Sequence, residues 1–129
     1  MNTNEASLKL ARSHGFDLWN TGGGCLAFHR MELDETYILI TDSDGCGVDA
    51  APDAEEWIVG RYAEAGGFVC VNESLSLFDA IAASVKLPRP DSDSEIVEEV
   101  FDSFALLADA ISGGRSVGER HWMAGRWEF

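Results

Sequence analysis

The stretch Thr36-Tyr37-Ile38-Leu39-Ile40-Thr41 decides how the chain is interpreted. It is short, almost wholly apolar and rich in β-branched residues, and it ends abruptly at Asp42-Ser43-Asp44-Gly45. A run of this length and composition, bounded by turn residues, is typical of a buried strand. We therefore expect residues 36–41 to form the central strand of a sheet around which the rest of the chain folds.

The segments before the central strand predict a helix followed by a hairpin. Residues 4–13 fit a short helix that ends at His14-Gly15. Phe16-Asp17-Leu18-Trp19 alternates apolar and polar residues and predicts a strand, and Asn20-Thr21-Gly22-Gly23 predicts a turn. Cys25–Met31 is then the returning strand.

The segments after the central strand are less uniform. Residues 55–62 begin with helix-start residues, but Trp57-Ile58-Val59 favours a strand, so a hairpin with residues 68–71 is expected. Helices are predicted over 74–86 and over about 95–111, with a break at Leu87-Pro88-Arg89-Pro90 between them.

The size and pattern indicate one α+β domain spanning residues 1–129. Apolar residues make up 46% of the chain and aromatic residues 10%, which is enough for a core. The expected architecture is a mostly antiparallel sheet of 4–5 strands covered on one face by 2–3 helices.

No apolar run approaches the roughly 18 residues of a membrane span. The N-terminal residues do not resemble a secretory signal. The three widely spaced cysteines, Cys25, Cys46 and Cys70, favour reduced thiols and a cytoplasmic location.

Charge is the strongest functional signal in the sequence. The chain carries 23 Asp and Glu against 9 Lys and Arg, a formal net charge of -14. Such a field repels nucleic acid and anionic membranes and attracts basic protein surfaces. Direct binding to nucleic acid or to a membrane is therefore disfavoured, and solubility alone is the simplest other explanation.

A row of carboxylates is expected on the outer face of the predicted 95–111 helix. On that helix the acidic side chains fall within an arc of about 100°, opposite the apolar residues, over about 21 Å. The face carries no Lys or Arg, whereas solvated helix faces usually mix both signs. Fixed carboxylates at this spacing can imitate part of a phosphate backbone. The members of the row are Glu95, Glu98, Glu99, Asp102 and Asp109.

The loop after the central strand carries a second acidic group, Asp42, Asp44 and Asp49. Its carboxylates and glycines suggest a calcium loop, but the spacing does not fit an EF-hand, and a tight turn explains the residues as well. The group is therefore expected to extend the acidic contact surface. The cysteines and histidines lack metal-ligand spacing, so we expect no metal, no cofactor and no catalytic constellation.

The C-terminal aromatic residues Trp122, Trp127 and Phe129 have two interpretations. Trp is enriched in protein interfaces, which suggests an anchor for a partner or a homodimer. The same residues can instead form a last strand or an arm that packs on the sheet.

Three functions remain open on the sequence alone. The first is a non-enzymatic acidic protein that docks on the basic, nucleic-acid-binding surface of a partner and inhibits or modulates it. Small inhibitors of restriction or CRISPR machinery from phages and mobile elements act in this way as a class. The second is an accessory or oligomeric protein that uses its aromatic tail, with the charge serving solubility. The third is a metal-binding protein or a small hydrolase.

Overall fold

The computed structural model describes residues 3–22, 25–32, 35–42, 47–64, 66–88, 90, 98–112, 121–122 and 127–128. Within them the chain forms a six-stranded sheet, a separate two-stranded sheet and three helices. The helices are α1 (Glu5–Ser13), α2 (Leu77–Ser84) and α3 (Phe104–Ser112). The strands of the large sheet are β1 (Asp17–Gly22), β2 (Cys25–Met31), β3 (Thr36–Asp42), β4 (Trp57–Ala63), β5 (Phe68–Leu75) and β6 (Glu98–Phe101). The two-residue strands β7 (His121–Trp122) and β8 (Trp127–Glu128) pair with each other.

The predicted central strand is confirmed as β3, one of the two middle strands in the order β1-β2-β3-β4-β5-β6. Its residues alternate between buried and half-buried along the whole strand. One side faces the helices and the other faces away from them. The aromatic pair Phe28 and Trp57, stacked at 5.6 Å between ring centroids, lies in the core on the helix side.

The sheet is larger than expected and mixed in direction. Strands β1 to β5 form an antiparallel meander, so the hairpin predicted over residues 57–71 is confirmed. Strand β6 runs parallel to β5. A parallel neighbour requires a crossover of about a dozen residues or more, and the chain between β5 and β6, including α2, supplies it. The α+β class is thus correct, whereas the prediction of 4–5 antiparallel strands missed this last strand.

The predicted helix over 95–111 is wrong for residues 98–101. Residues 98–101 form a strand in which Glu99 and Phe101 are buried while Glu98 and Val100 are exposed. A period of two places alternate side chains on opposite faces, as a strand requires. The helical segment α3 begins only at Phe104.

A cap at Ser103 explains where α3 starts. The Ser103 hydroxyl accepts a hydrogen bond from the Leu106 backbone N–H at 3.2 Å. The Glu73 carboxylate on β5 accepts another from the Phe104 backbone N–H at 2.8 Å. These acceptors satisfy donors that a helix N-terminus leaves open.

All three helices contribute to a single core on one face of the sheet. The contributing residues are Ala11 from α1, Leu77, Ala80 and Ile81 from α2, and Leu107 and Ala110 from α3. The Asn4 side chain caps α1, and the Ser76 hydroxyl caps α2. None of the helices in the described part of the chain has the length and apolar character that a membrane crossing requires.

Candidate binding surface

The predicted acidic row does not exist as a row. Glu98 and Glu99 point to opposite faces of β6, with Glu98 exposed and Glu99 only 1% exposed. Asp102 is exposed just beyond the end of β6, and Asp109 is exposed on α3. Glu95 lies outside the described residues. The expectation of a continuous carboxylate strip on one helix is therefore wrong, because residues 98–101 of the predicted helix form a strand.

The second predicted acidic group is also dispersed. Asp42 is 5% exposed at the end of β3, so its carboxylate is not part of the surface. Asp49 is exposed, and Asp44 lies outside the described residues. In the part of the chain that the structure describes, no three His, Cys, Asp or Glu side chains lie close enough together to hold a metal ion.

The face of the large sheet away from the helices, which we call the open face, carries a row of one methionine and three aromatic side chains, which we call the aromatic row. Met31, Tyr37, Tyr62 and Phe68 occupy directly paired positions on β2, β3, β4 and β5. The rings of Tyr37 and Tyr62 stack at 5.7 Å, and those of Tyr62 and Phe68 lie 5.8 Å apart. Cross-strand aromatic pairs of this kind stabilise a sheet.

The row continues towards β1 through Trp19. Its indole ring lies 4.6 Å from the His29 imidazole and 5.6 Å from the Tyr37 ring, measured between centroids. Trp19 is 40% exposed and Met31 52% exposed, so none of the three described helices covers this end of the open face. Trp19 and Met31 therefore form an exposed apolar patch beside the half-buried Tyr37, and such a patch is a candidate interaction site.

A pocket of about 380 Å³ lies in the middle of the open face, over Gly60. Thr21 on β1 and Val100 on β6 both line it, so the sheet curves enough for its two edge strands to share one cavity. The walls are mostly apolar, and Thr21, Thr41 and Asn72 supply polar atoms. The apolar side chains that line it are Leu39, Ile58, Tyr62, Phe68 and Val100.

The floor of the pocket holds a paired thiol and phenol. The Cys70 sulfur and the Tyr62 hydroxyl are hydrogen-bonded at 3.3 Å. Burial raises the pKa of Tyr62 well above its usual value, and burial also raises the pKa of the Cys70 thiol despite that hydrogen bond. Both groups are therefore neutral at physiological pH, which disfavours a thiolate nucleophile here.

His29, beside Trp19, is also shifted towards its neutral form. Partial burial lowers the pKa of the His29 imidazole below its usual value. The described part of the open face thus presents neutral aromatic and aliphatic groups rather than cations.

Carboxylates border this face at the end of the sheet where the aromatic row lies. Glu98 pairs with Phe68 in register and is on the same side of β6 as Val100. Glu35, in the turn before β3, accepts a hydrogen bond through its backbone carbonyl from the Glu64 backbone N–H at 3.1 Å. All three side chains are exposed. We call Glu35, Glu64 and Glu98 the acidic rim.

The exposed cations lie elsewhere. Among the described Lys and Arg residues, only Lys9, Arg12 and Lys86 are exposed, and they lie on α1 or directly after α2. The Arg30 guanidinium packs on the Phe16 ring and pairs with Glu32 at 2.9 Å on the helix side. By contrast, twelve of the described Asp and Glu residues are exposed. Among the described residues, the exposed charges that border the open face are therefore negative.

The cysteines differ from the expectation of three reduced thiols. Cys25, at the start of β2, is disulfide-bonded, whereas Cys70 is a free thiol. The prediction of a reduced Cys25 is therefore wrong. Its wide separation from the other cysteines gave no sequence signal, because bridging depends on distance in space.

The predicted aromatic tail forms a small unit of its own. Trp122 and Trp127 occupy paired backbone positions in the β7–β8 sheet, which is separate from the six-stranded sheet. Phe129 lies outside the described residues. The described tail backbone thus forms a two-stranded pair and not a further strand of the six-stranded sheet, and the alternative of an arm that packs on the sheet stays a prediction.

Sequence reasoning missed the aromatic row and the pocket. The available signal was the alternation within each strand, which puts Tyr37, Tyr62 and Phe68 on the side opposite the buried residues. Comparison of the chain with protein-family models, with curated proteins and with solved structures gave no match.

Proposed function

We propose that this protein is a non-catalytic binding protein whose open face and acidic rim dock on a basic surface of a partner protein. One observation carries the proposal: the exposed Met31 and the half-buried Tyr37, Tyr62 and Phe68 lie in register across four strands, and they are bordered by exposed carboxylates and by no exposed Lys or Arg of the described chain. Aromatic side chains supply most of the binding energy in many interfaces, and complementary charge supplies rate and specificity.

The net charge of -14 defines the chemistry of the partner. Electrostatic complementarity requires a basic surface, and extended basic surfaces on proteins commonly bind nucleic acid. A protein bound there competes with nucleic acid and inhibits or modulates the partner. Small phage or mobile-element inhibitors of restriction or CRISPR machinery illustrate this class of action. The phosphate-imitating helix no longer supports the proposal, which now depends on the open face and its rim.

We propose that the protein acts in the cytoplasm, where such partners act. The disulfide at Cys25 argues in the other direction, since disulfides persist mainly in oxidising compartments. Whether Cys25 is oxidised inside the cell therefore indicates in which compartment the protein binds its partner.

The test is a capture experiment with charge-reversal variants. The protein is immobilised and incubated with lysate of its host at low and at high salt, and captured proteins are identified by mass spectrometry. The rim variant carries Glu35→Lys, Glu64→Lys and Glu98→Lys. A matched control carries the same charge change at the loop before β4 and on α1, as Glu5→Lys, Glu55→Lys and Glu56→Lys.

We expect a basic partner that is captured at low salt, is lost at high salt, and binds the rim variant about tenfold or more weakly than the control variant. A duplex DNA competitor should release it. Equal loss in both variants would mean that total charge, not the rim, matters. Capture that does not respond to salt would remove the electrostatic basis of the proposal.

The alternative proposal is self-association through the C-terminal pair of strands. The in-register positions of Trp122 and Trp127 favour it, because paired aromatic positions on a short hairpin can form an anchor. Removal of residues 113–129 should then abolish a dimer in analytical ultracentrifugation, whereas the rim variant should not change it.

A further inference from the structure

We infer that the pocket over Gly60 receives one large apolar side chain of the basic partner, while Lys or Arg residues flanking that side chain pair with the acidic rim. The inference rests on the proposed function and names the chemistry of the contact. The occupant of the pocket is an extended basic segment of the partner protein.

The pocket itself selects an apolar group. Its volume of about 380 Å³ lies near the lower end of the range of roughly 300–1,000 Å³ found for specific ligand pockets. Tyr62 and Phe68 form an aromatic wall, and Leu39, Ile58 and Val100 form aliphatic ones. None of the described side chains that line it is charged, so a buried Lys or Arg would find no counter-ion there. A large aliphatic or aromatic side chain meets no such cost.

The surroundings select a basic sequence on either side of that group. Val100 lines the pocket, and Glu98 lies two residues away on the same face of β6, at about 6.6 Å along the strand. An extended partner segment has the same spacing between positions i and i+2. It can therefore place an apolar residue against Val100, at the β6 side of the pocket, and a cation at Glu98 simultaneously.

An anionic partner segment is disfavoured by the same geometry. Glu98, Glu64 and Glu35 border one end of the open face, and the exposed Lys and Arg of the described chain lie on the helix side. Like charges placed at that end would repel and remain unpaired. The combination of an apolar pocket and an acidic rim thus favours an occupant in which one apolar side chain is flanked by Lys or Arg.

The experiment titrates the ¹⁵N-labelled full chain with host–guest peptides in NMR. The peptides are acetyl-Gly-Lys-Gly-X-Gly-Lys-Gly-amide with Trp, Leu or Ala at position X. A second series replaces both lysines by glutamate. N-acetyl-tryptophanamide, which has the ring without the flanking charges, is the third probe.

We expect the Trp and Leu peptides to bind about tenfold or more tightly than the Ala peptide, which corresponds to about 1.4 kcal/mol. Shifts should centre on Gly60 and Val100. The glutamate series and N-acetyl-tryptophanamide should bind more weakly than the lysine series. A ring that binds equally well without flanking lysines would overturn the inference in favour of a small-molecule site.

Two variants of the same chemical type localise the effect. Val100→Trp fills the pocket from the edge strand, and Val85→Trp makes the same change after α2, where Val85 is 75% exposed. Val100→Trp should reduce the preference for Trp over Ala to within twofold, whereas Val85→Trp should preserve it. Asn72→Trp, at an exposed position that also lines the pocket, is the second blocking variant if the first does not fold.

The outcomes separate the inference from the proposed function. Salt-dependent binding of all lysine peptides without regard to position X would overturn the inference and leave the proposed function standing. No salt-dependent binding of any lysine peptide would overturn both. A dimer in sedimentation experiments that Val100→Trp dissociates would identify a second copy of this chain as the occupant and overturn the inference.

Discussion

Gly60 and Cys70 lie directly opposite each other on β4 and β5, and the missing side chain of Gly60 leaves the space that the Cys70 sulfur occupies. A Cβ atom added at Gly60 would lie 2.5 Å from Cys70 Sγ and 3.1 Å from Tyr62 Cε1. Those distances are shorter than ordinary contacts, so the sulfur or the ring would have to move. The pocket floor thus depends on one glycine in the middle of a strand, where glycine otherwise weakens a sheet.

Gly60→Ala should therefore lower the free energy of unfolding by about 1–3 kcal/mol, the usual cost of overpacking. Urea denaturation followed by circular dichroism measures it. The double variant Gly60→Ala with Cys70→Ala should recover part of the loss, because the sulfur is the nearest atom. Wild-type stability of Gly60→Ala alone would show that the Cys70 side chain rotates away without cost.

Charge reversals at the two neighbouring glutamates of β6 should differ sharply. Glu98→Lys changes an exposed side chain and should alter the free energy of unfolding by no more than about 0.5 kcal/mol. Glu99→Lys replaces the buried, helix-facing carboxyl group by an ammonium group and should cost about 3 kcal/mol or more. Thermal and urea denaturation of the two variants measure both. On an acidic helix face both changes would be tolerated, so equal and small effects would contradict the strand.

Stability should decline in alkaline solution because of the Tyr62–Cys70 pair. The folded chain holds the pKa of both groups above their unfolded values, which are about 10 for Tyr and about 8.5 for Cys. As the pH rises past those values, the unfolded chain loses protons that the folded chain keeps. The free energy of unfolding therefore falls, by up to about 1.4 kcal/mol per pH unit for each group.

Tyr62→Phe should flatten this decline between about pH 9 and pH 11, because it removes one of the two shifted groups. Tyr37→Phe is the matched control, since it makes the same change on the same face and leaves the Tyr62–Cys70 hydrogen bond in place. Urea denaturation at a series of pH values measures the slope. Equal slopes for wild type and Tyr62→Phe would contradict the expected role of the phenol.

The cysteines should differ in their reaction with an alkylating reagent. Cys25 is disulfide-bonded and should remain unmodified until a reductant is added. Cys70 should react slowly at neutral pH in the folded chain, because burial raises the pKa of its thiol, and quickly after denaturation. Peptide mapping by mass spectrometry reports each site, with Cys70→Ala as the assignment control. Alkylation of Cys25 without reductant would restore the expectation of reduced thiols.

Local patterns in the sequence predicted most of the fold. The alternation in β1 to β5, the glycine-rich turns and the helical spacing in α1 and α2 each lie within one segment, so a segment read alone reveals them. The strand at 57–63 was the hardest of these, because acidic residues before it imitate a helix start. Its β-branched and aromatic residues correctly predicted a strand.

The error at β6 has a definite physical cause. Apolar residues at 96, 97, 100 and 101 fit the period of a helix. The described residues of this segment, 98–101, nevertheless form a strand. What selects the strand is the unpaired edge of β5, which gains backbone hydrogen bonds when Glu98–Phe101 lies beside it. The sequence of this segment alone does not indicate that β5 has an unpaired edge. The prediction of a row of carboxylates required a helix in this segment, so it was wrong for the same reason.

The sequence by itself determined the α+β class, the central strand, the helix-covered core and a strongly negative surface, because these follow from composition and from spacing within short segments. Only the tertiary structure decided which carboxylates are exposed, that five strands bring Trp19, Met31, Tyr37, Tyr62 and Phe68 together, and that a pocket forms over Gly60. Those features depend on register and curvature between strands distant in the chain. Register is set by the whole sheet at once, since each strand can bury its apolar side only in alignment with its neighbours.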